Sequence, residues 1–190
     1  MTEAAEPDEA LMGRYARGDA AAFECLYRRH EMRTWRYIER NVGNRATADE
    51  LMQEVWFAVA REAPRYQPSA RFTTWLFTIA RNRIIDWTRT KRPQTSLESL
   101  GYEAGAVVMQ LSTDPSSGPL AAAVAAEQSS ALAQALAQLP AEQRDAFLMH
   151  VEAGLSLEEV AGIAGVSFET TKSRVRYARM KLRDSLQEHT

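Results

Sequence analysis

Residues 93–128 interrupt a chain whose apolar residues otherwise recur at helical spacing. This stretch is dominated by Pro, Ser, Gly, Thr and Ala, has no periodicity, and contains the cluster DPSSGP. A structureless segment of this length is uncommon inside a compact domain and is typical of a linker between domains. The sequence therefore predicts an all-α protein of two small helical domains, at 8–92 and 129–187, joined by a flexible linker at 93–128.

The part before residue 93 is predicted to be helical, since it shows caps, stops and helical spacing but no strand pattern. Asp19 is suited to cap the second helix, and Thr47 with Glu50 forms a capping box for the third. The fourth helix is expected to begin near Phe72 and to end before Pro93.

Residues 156–183 carry the most specific local pattern in the chain. Ser156 with Glu159 forms a capping box that opens a short helix, and Gly165 ends that helix without steric penalty. Ser167 then caps a longer helix rich in Lys and Arg. Two capped helices separated by a tight turn are typical of a DNA-binding helix-turn-helix, and an amphipathic helical hairpin is the structural alternative.

The faces of this segment favour DNA binding over a plain hairpin. Its apolar residues are spaced to close a small core: Val160, Ala161, Val166, Val175 and Leu182. The residues expected to face outward from the second helix are Thr170, Lys172, Ser173, Arg176 and Arg179. The start of such a helix reaches base edges in the major groove, whereas more distal arginines suit phosphates.

The distribution of charge is more informative than the net charge of −2. Residues 65–92 contain seven basic residues and one acidic residue, and residues 167–183 contain six basic residues and one acidic residue. Two separated basic segments are either two contact sites for a polyanion or two solvated helix faces, and charge alone leaves both open.

A second candidate surface lies on the third and fourth predicted helices. The third helix carries a polar and acidic stripe made of Asp49, Glu50, Gln53 and Glu54. The fourth helix interleaves Arg81, Asn82, Asp86 and Arg89 with the aromatic residues Trp75, Phe77 and Trp87. Such a mixture suits single-stranded nucleic acid. Four apolar residues at the start of the fourth helix recur at helical spacing: Phe72, Trp75, Leu76 and Ile79. They are better interpreted as part of the hydrophobic core than as a platform on which bases stack.

The loop at 63–71 contains two prolines and is expected to be locally stiff. Arg65, Tyr66 and Gln67 offer a cation for phosphate, a ring for stacking and an amide for a base edge. A preformed pocket of this kind could offset the cost of flipping a base out of a duplex. Packing of Tyr66 into the core is the alternative.

Other classes of function find little support in the sequence. No apolar run approaches the roughly 18 residues that span a bilayer, and the acidic N-terminus does not resemble an export signal, so a cytoplasmic location is expected. The one cysteine, Cys25, is expected to be a small buried apolar residue. The histidines lack metal-ligand spacing, so neither a metal nor another cofactor is expected, and nothing indicates an enzyme or a small-molecule substrate.

Several segments together resemble the extracytoplasmic-function group of bacterial RNA polymerase sigma factors, in the sigma-70 family. They are GDAAAFECLYRRH, DELMQEVW, FTTWLFTIARNRIIDWTR, LPAEQRDAFLM and the terminal helix-turn-helix, in that order. The resemblance implies a promoter-specificity subunit that binds core RNA polymerase and promoter DNA and assists promoter opening. An anti-sigma factor is a further partner implied by the resemblance, and direct membrane insertion is not expected.

The resemblance also implies roles for individual residues. The residues that it implies for polymerase binding are Asp49, Gln53 and Glu54. The residues that it implies for contacts with the minus-ten element are Arg65, Tyr66, Gln67, Arg81, Asn82, Arg83 and Arg89. For the minus-thirty-five element the resemblance implies contacts by Lys172, Ser173 and Arg174. The expected outward face of the same helix adds Thr170, Arg176 and Arg179 as candidates. Tyr177 departs from the family pattern, in which many relatives carry an arginine.

Two other classes compete with this interpretation. A conventional helix-turn-helix regulator would bind duplex DNA without polymerase, but it needs no acidic helix followed by a basic and aromatic one. A nucleic-acid-processing enzyme would need clustered carboxylates for metal ions, which only Asp49, Glu50 and Glu54 approach. The first part of the chain therefore discriminates between the hypotheses.

Overall fold

The computed structural model describes residues 6–91 and 130–187, and within these ranges the chain is helical, without a strand. The helices are α1 (Asp8–Ala16), α2 (Ala20–Val42), α3 (Arg45–Glu62), α4 (Phe72–Lys91), α5 (130–137), α6 (Ala141–Val151), α7 (Leu157–Ala164) and α8 (Phe168–Gln187), with a 3-10 turn at Ala63–Arg65. The all-α prediction is confirmed. The predicted linker at 93–128 lies outside the described residues, so the domain boundaries stay a prediction.

Short polar side chains set the starts of α2 and α3. The Asp19 carboxylate accepts hydrogen bonds from the backbone N–H groups of Ala21 and Ala22, at 3.1 and 3.3 Å, which confirms it as the cap of α2. The predicted capping box of Thr47 and Glu50 is wrong. Asn44 caps α3 instead, because its side-chain oxygen accepts the Thr47 N–H at 2.9 Å one turn earlier.

The N-terminal part of the chain (6–91) is built around α2, which packs against α1, α3 and α4. Tyr37 of α2 is fully buried, and its ring meets that of Phe77 edge-on at 5.2 Å. Phe72 and Leu76 are fully buried, while Trp75 and Ile79 pack on the core from partly exposed positions. The core interpretation of this stripe on α4 is confirmed.

Two acidic side chains fasten α1 to the rest of the N-terminal part. A carboxylate oxygen of Glu9 accepts the backbone N–H of Phe72, at 2.7 Å, at the start of α4. Oδ2 of Asp8 lies 2.7 Å from Nε2 of the buried His30 in α2. The first acidic helix therefore holds the beginning of α4 in place.

Acidification is expected to destabilise the N-terminal part through His30. Burial lowers the pKa of His30 below its ordinary value of 6.5, although Asp8 opposes this shift. As the pH falls through 6.5, His30 takes up a proton in the unfolded chain before it does so in the folded chain. The free energy of unfolding therefore falls as the pH decreases. Urea unfolding at pH 7.5 and at about 5.5 measures this change. His30→Gln should reduce the difference, and an unchanged difference would contradict the assignment.

The C-terminal part (130–187) places α6 against α7 and α8. The capping box of α7 is confirmed: Ser156 Oγ accepts the Glu159 N–H at 3.1 Å, and Glu159 accepts the Ser156 N–H at 2.8 Å. Gly165 ends α7 at a φ of 67°, a left-handed conformation that favours glycine. Four of the five expected core residues are buried: Val160, Ala161, Val175 and Leu182. The fifth, Val166, is half-buried.

The two parts pack on each other, with α6 against α2 and α7 against α4. Their buried apolar side chains form one continuous cluster. No helix within residues 6–91 or 130–187 is long and apolar enough to cross a bilayer.

Candidate protein and nucleic-acid interfaces

The acidic stripe lies on the exposed face of α3. Gln53 and Glu54 are exposed, and Glu54 lies 4.0 Å from Nε of Arg83 on α4. Asp49 is also exposed, but its Oδ1 accepts a 2.7 Å hydrogen bond from the indole N–H of Trp35. Asp49 therefore helps to tie α3 to α2, whereas Gln53 and Glu54 face solvent.

Phe57 is a candidate site residue that sequence reasoning missed. The residue is 72% exposed, the largest exposed fraction among the exposed large apolar residues of the described chain. It follows Gln53 by four residues and Glu54 by three, so all three share one helical face. The signal was in the sequence, because Phe57 falls outside the buried stripe that contains Val55 and Val59.

The loop after α3 presents two of its three predicted groups to solvent. Arg65 is the last residue of the 3-10 turn, and its side chain is 84% exposed and lies 3.9 Å from Glu62. Gln67 is also exposed. A cation and an amide thus lie two residues apart at the surface, where a nucleic acid can reach both.

Tyr66 is placed differently from its neighbours in the loop. Its ring is half-buried and meets Trp75 edge-on at 5.0 Å and Phe72 at 6.4 Å. Its hydroxyl is buried without a hydrogen-bond partner, and burial raises the pKa of Tyr66 to about 12. The structure therefore favours the alternative in which this ring packs on the core and shapes the loop.

The four predicted DNA-binding residues of α4 do not form one uniform surface. Asn82 and Arg89 are exposed. Arg83 is half-buried beside Glu54, and Arg81 is half-buried with its Nε donating to Asp145 of α6 at 2.7 Å. Only part of the basic character of α4 is thus open to a nucleic acid in this arrangement.

The predicted outward face of α8 is present. Ser167 caps the helix by accepting the Thr170 N–H at 3.2 Å. Five of the six residues assigned to DNA are exposed: Thr170, Lys172, Ser173, Arg176 and Arg179. The sixth, Arg174, is half-buried because its guanidinium pairs with Glu142 of α6. In this structure Arg174 connects α8 to α6.

Tyr177 lies beside Arg176, one of the residues of α8 predicted to contact DNA. The guanidinium of Arg176 lies over its ring, 5.2 Å from the centroid, and the residue Tyr177 is 42% exposed. Such a cation–π contact restricts the guanidinium to fewer orientations. Tyr177 is thus placed to hold Arg176, a contact between neighbouring residues that helical periodicity does not predict.

No group of His, Cys, Asp or Glu side chains suited to a metal ion occurs in the described parts of the chain. Cys25 is half-buried and packs against the core of the N-terminal part. The arrangement thus offers three kinds of surface: an acidic and aromatic face on α3, a loop with a cation and an amide, and a basic face on α8.

Comparison with known proteins gives a consistent result for both parts of the chain. The family model Sigma-70 region 2 matches residues 26–94, and the model Sigma-70, region 4 matches residues 129–182. RNA polymerase sigma factor CarQ of Myxococcus xanthus is 33% identical over 177 residues, which cover 93% of this chain and 96% of CarQ.

A second relative and a solved structure extend the comparison. ECF RNA polymerase sigma factor SigL of Mycobacterium tuberculosis is 34% identical over 174 residues, covering 91% of this chain and 93% of SigL. The fold is similar to that of the sigma factor RpoE in its complex with the anti-sigma factor NepR from Bartonella quintana. That likeness has a TM-score of 0.64 at 24% identity and covers 86% of this chain and 98% of the other.

Proposed function

The chain belongs to the extracytoplasmic-function RNA polymerase sigma factors of the sigma-70 family, and on that premise we propose which of its surfaces bind core polymerase and which bind promoter DNA. A sigma factor directs RNA polymerase to promoters. In this chain the face of α3 binds core polymerase, the loop after α3 with α4 binds the minus-ten element, and α8 reads the minus-thirty-five element.

The observation that carries this proposal is the exposed face of α3. Gln53, Glu54 and Phe57 combine an amide, a carboxylate and a largely exposed aromatic ring on one solvent-facing side of the helix. Exposed aromatic residues such as Phe57 are enriched in protein interfaces, where a few side chains contribute most of the binding energy. A helix-turn-helix regulator acting alone has no use for this face, so polymerase is the favoured partner.

The minus-ten function is assigned to the loop and to the open side of α4. Arg65 contacts phosphate and Gln67 pairs with a flipped base. The ring of Tyr66 packs on the core and thereby supports the loop. Asn82 and Arg89 extend this surface along α4, and Arg81 and Arg83 join it when their carboxylate partners are displaced. Together these residues assist strand opening.

An anti-sigma factor is proposed as a further partner. The structural neighbour RpoE is described in complex with an anti-sigma factor, and it shares the fold of this chain. The proposed site of action is the cytoplasm, where RNA polymerase and the promoter are found. The proposal contains no catalytic step, cofactor or small-molecule substrate.

Transcription in vitro tests the proposal directly. The full chain is added to core polymerase with a library of promoter templates, and run-off transcripts are sequenced. We expect transcripts that start at a defined distance from a shared pair of promoter elements and that disappear when the chain is omitted. Binding to duplex DNA without any effect on transcription would favour the regulator instead.

Replacement of two arginines of α8 is expected to have different consequences. If Arg176 makes a bidentate base contact, Arg176→Ala costs about 1–3 kcal/mol and relaxes specificity at one position. Arg179→Ala is expected to weaken binding uniformly and to reduce the slope of log affinity against log salt by about 1.

Holoenzyme affinities for a set of minus-thirty-five variants, each measured at several salt concentrations, separate these effects. Tyr177→Ala should resemble a mild form of Arg176→Ala, because it removes the ring that holds the guanidinium. An Arg176→Ala protein with unchanged base preference would overturn the assignment.

A further inference from the structure

Glu9 of α1 supplies an acceptor that the residue before α4 does not offer. The first N–H groups of a helix have no partner within the helix, and a side chain just before the helix often accepts one of them. Arg71 directly precedes α4, and an arginine side chain contains no acceptor. A carboxylate oxygen of Glu9 accepts the Phe72 N–H instead, at 2.7 Å and from 63 residues away. The start of α4 is therefore anchored to α1.

The same helix supports the other end of the loop after α3 (63–71). α1 packs against the 3-10 turn at Ala63–Arg65 as well as against α4. The hydroxyl of Tyr66, the next residue, is buried, and the Glu9 and Asp8 carboxylates add to burial in raising the pKa of Tyr66 to about 12. That effect places the hydroxyl near the first turn of α1. Both ends of the loop therefore rest on α1.

The first turn of α1 is itself held on α2. Asp8 accepts a 2.8 Å hydrogen bond from Arg29 through Oδ1, and its Oδ2 lies 2.7 Å from Nε2 of His30. Arg29 also donates to the backbone carbonyl of Glu6, at 2.6 Å. The side chain of His30 is 7% exposed, so its contact with Asp8 is sheltered from water. The backbone that carries Glu9 is therefore fixed relative to α2.

This support bears on Arg65 and Gln67, the two exposed groups on either side of Tyr66. Neither side chain is buried, so packing does not fix its position. Their placement depends on the backbone of the loop, which is held through Tyr66 at one end and Phe72 at the other. A contact with a base is sensitive to a displacement of about 1 Å, and a loop that is fixed before binding loses less entropy when it binds.

We infer that Glu9 is a positioning residue for recognition of the minus-ten element: its hydrogen bond to the Phe72 N–H fixes the backbone of the loop, and the fixed loop presents Gln67 to the flipped base. Glu9 acts through the loop and makes no contact with DNA. The role in recognition rests on the proposed function, because that function assigns Gln67 to a base. The fixing of the loop does not rest on it and is tested separately.

Hydrogen exchange of the isolated full chain, followed residue by residue by NMR, tests the fixing of the loop. Glu9→Ala should speed exchange of the Phe72 amide about tenfold or more, because it removes the carboxylate that this amide donates to. Glu9→Gln retains an acceptor oxygen and should speed exchange less.

The control for a general loss of stability is Val42→Ala. Its buried side chain lies about 18 Å further along α2 than His30, at about 1.5 Å per residue. His30 is the residue of α2 whose ring meets that of Phe72, at 5.3 Å. Exchange at Phe72 that is no faster in Glu9→Ala than in Val42→Ala would overturn the inference, whatever the promoter experiments give.

Binding of the holoenzyme to fluorescent single strands tests the role in recognition. The strands carry the minus-ten element identified by run-off sequencing, with single-base changes across it. At the position read by Gln67 the parent should prefer one base about tenfold, and Glu9→Ala should reduce this preference to about threefold or less. Glu9→Gln and Val42→Ala should keep the preference of the parent, since a loss of folded protein changes the amount of complex but not the ratio of two affinities. An unchanged ratio in Glu9→Ala would refute the positioning role.

A double variant separates an indirect role of Glu9 from a direct one. If Glu9 acts through Gln67, then Glu9→Ala with Gln67→Ala should have the same base preference as Gln67→Ala alone, because residues that act as a unit are not additive. Additive losses would contradict the inference. Gln67→Ala with the parental preference at every position would instead refute the proposed function of Gln67, and the exchange experiment still decides whether Glu9 fixes the loop.

Circular dichroism shows whether Glu9→Ala retains its helices. If it does not, Glu9→Asp replaces it, because this change keeps the charge but shortens the side chain by the methylene that lets it reach the Phe72 N–H. A folded Glu9→Asp protein should show the faster exchange and the weaker base preference expected of Glu9→Ala. Parental values of both would overturn the inference.

Discussion

Replacing Glu54 and Phe57 together with alanine is expected to lower the affinity for core polymerase about 100-fold, since an aromatic and a charged contact at the centre of an interface together contribute roughly 3 kcal/mol. The thermal stability of the protein should change little, because both side chains are exposed. A pull-down titration with core polymerase measures the affinity, and a melting curve measures the stability.

The matched control for this prediction lies on α2. Glu24→Ala with Met32→Ala also removes one exposed acidic and one exposed apolar side chain, and it should leave polymerase binding unchanged. Asp49 needs a different substitution, because alanine would also remove the acceptor of the Trp35 N–H. Asp49→Asn retains an acceptor and isolates the effect of charge. Equal affinities of the double variant and the parent would refute the assignment of this face.

Replacing Arg65 and Gln67 together with alanine is expected to slow open-complex formation on duplex promoters about tenfold or more, while polymerase binding is retained. The two groups are proposed to contribute to the few kcal/mol needed to unstack a base. Permanganate footprinting of unpaired thymines follows the melting. The defect should shrink on a template whose minus-ten region is already mismatched, because its bases are already unpaired.

Two comparisons sharpen this second prediction. Arg28→Ala with Gln134→Ala removes the same types of side chain from other exposed positions and should leave melting unaffected. Tyr66→Phe should also melt promoters normally, because the hydroxyl is buried without a hydrogen-bond partner and the ring packs on Trp75. Normal melting by the Arg65 and Gln67 double variant would mean that the loop is only a connector.

Local features of the fold could be predicted from the sequence because their physics acts within one helical turn. The caps at Asp19 and Ser156, the stop at Gly165 and the buried stripe beginning at Phe72 all depend on residues at most a few positions apart. The error at α3 is of the same kind. Asn44 and Thr47 are both good caps, and the earlier one adds a turn of helix.

The candidate interfaces were predicted where exposure follows from helical spacing alone. On α8 the expected outward residues are outward, because the apolar residues that oppose them close the core. The basic character of Arg81 and Arg174 was equally clear in the sequence, but a basic residue on a helix has no preference between a phosphate and a carboxylate. Whether Arg81 and Arg174 are available to DNA or pair within the protein therefore depends on which helices pack beside them.

Only the tertiary structure decided those partners. Tyr37 and Arg81 meet Asp145 across separations of 108 and 64 residues, and Arg174 meets Glu142 on another helix. Such contacts arise from the way helices dock, which the pattern within one helix does not contain. The sequence by itself determined the helices, the caps of α2, α7 and α8, and the basic face of α8, because these are local. The packing of the two parts decided which charges are sheltered and which remain available to DNA.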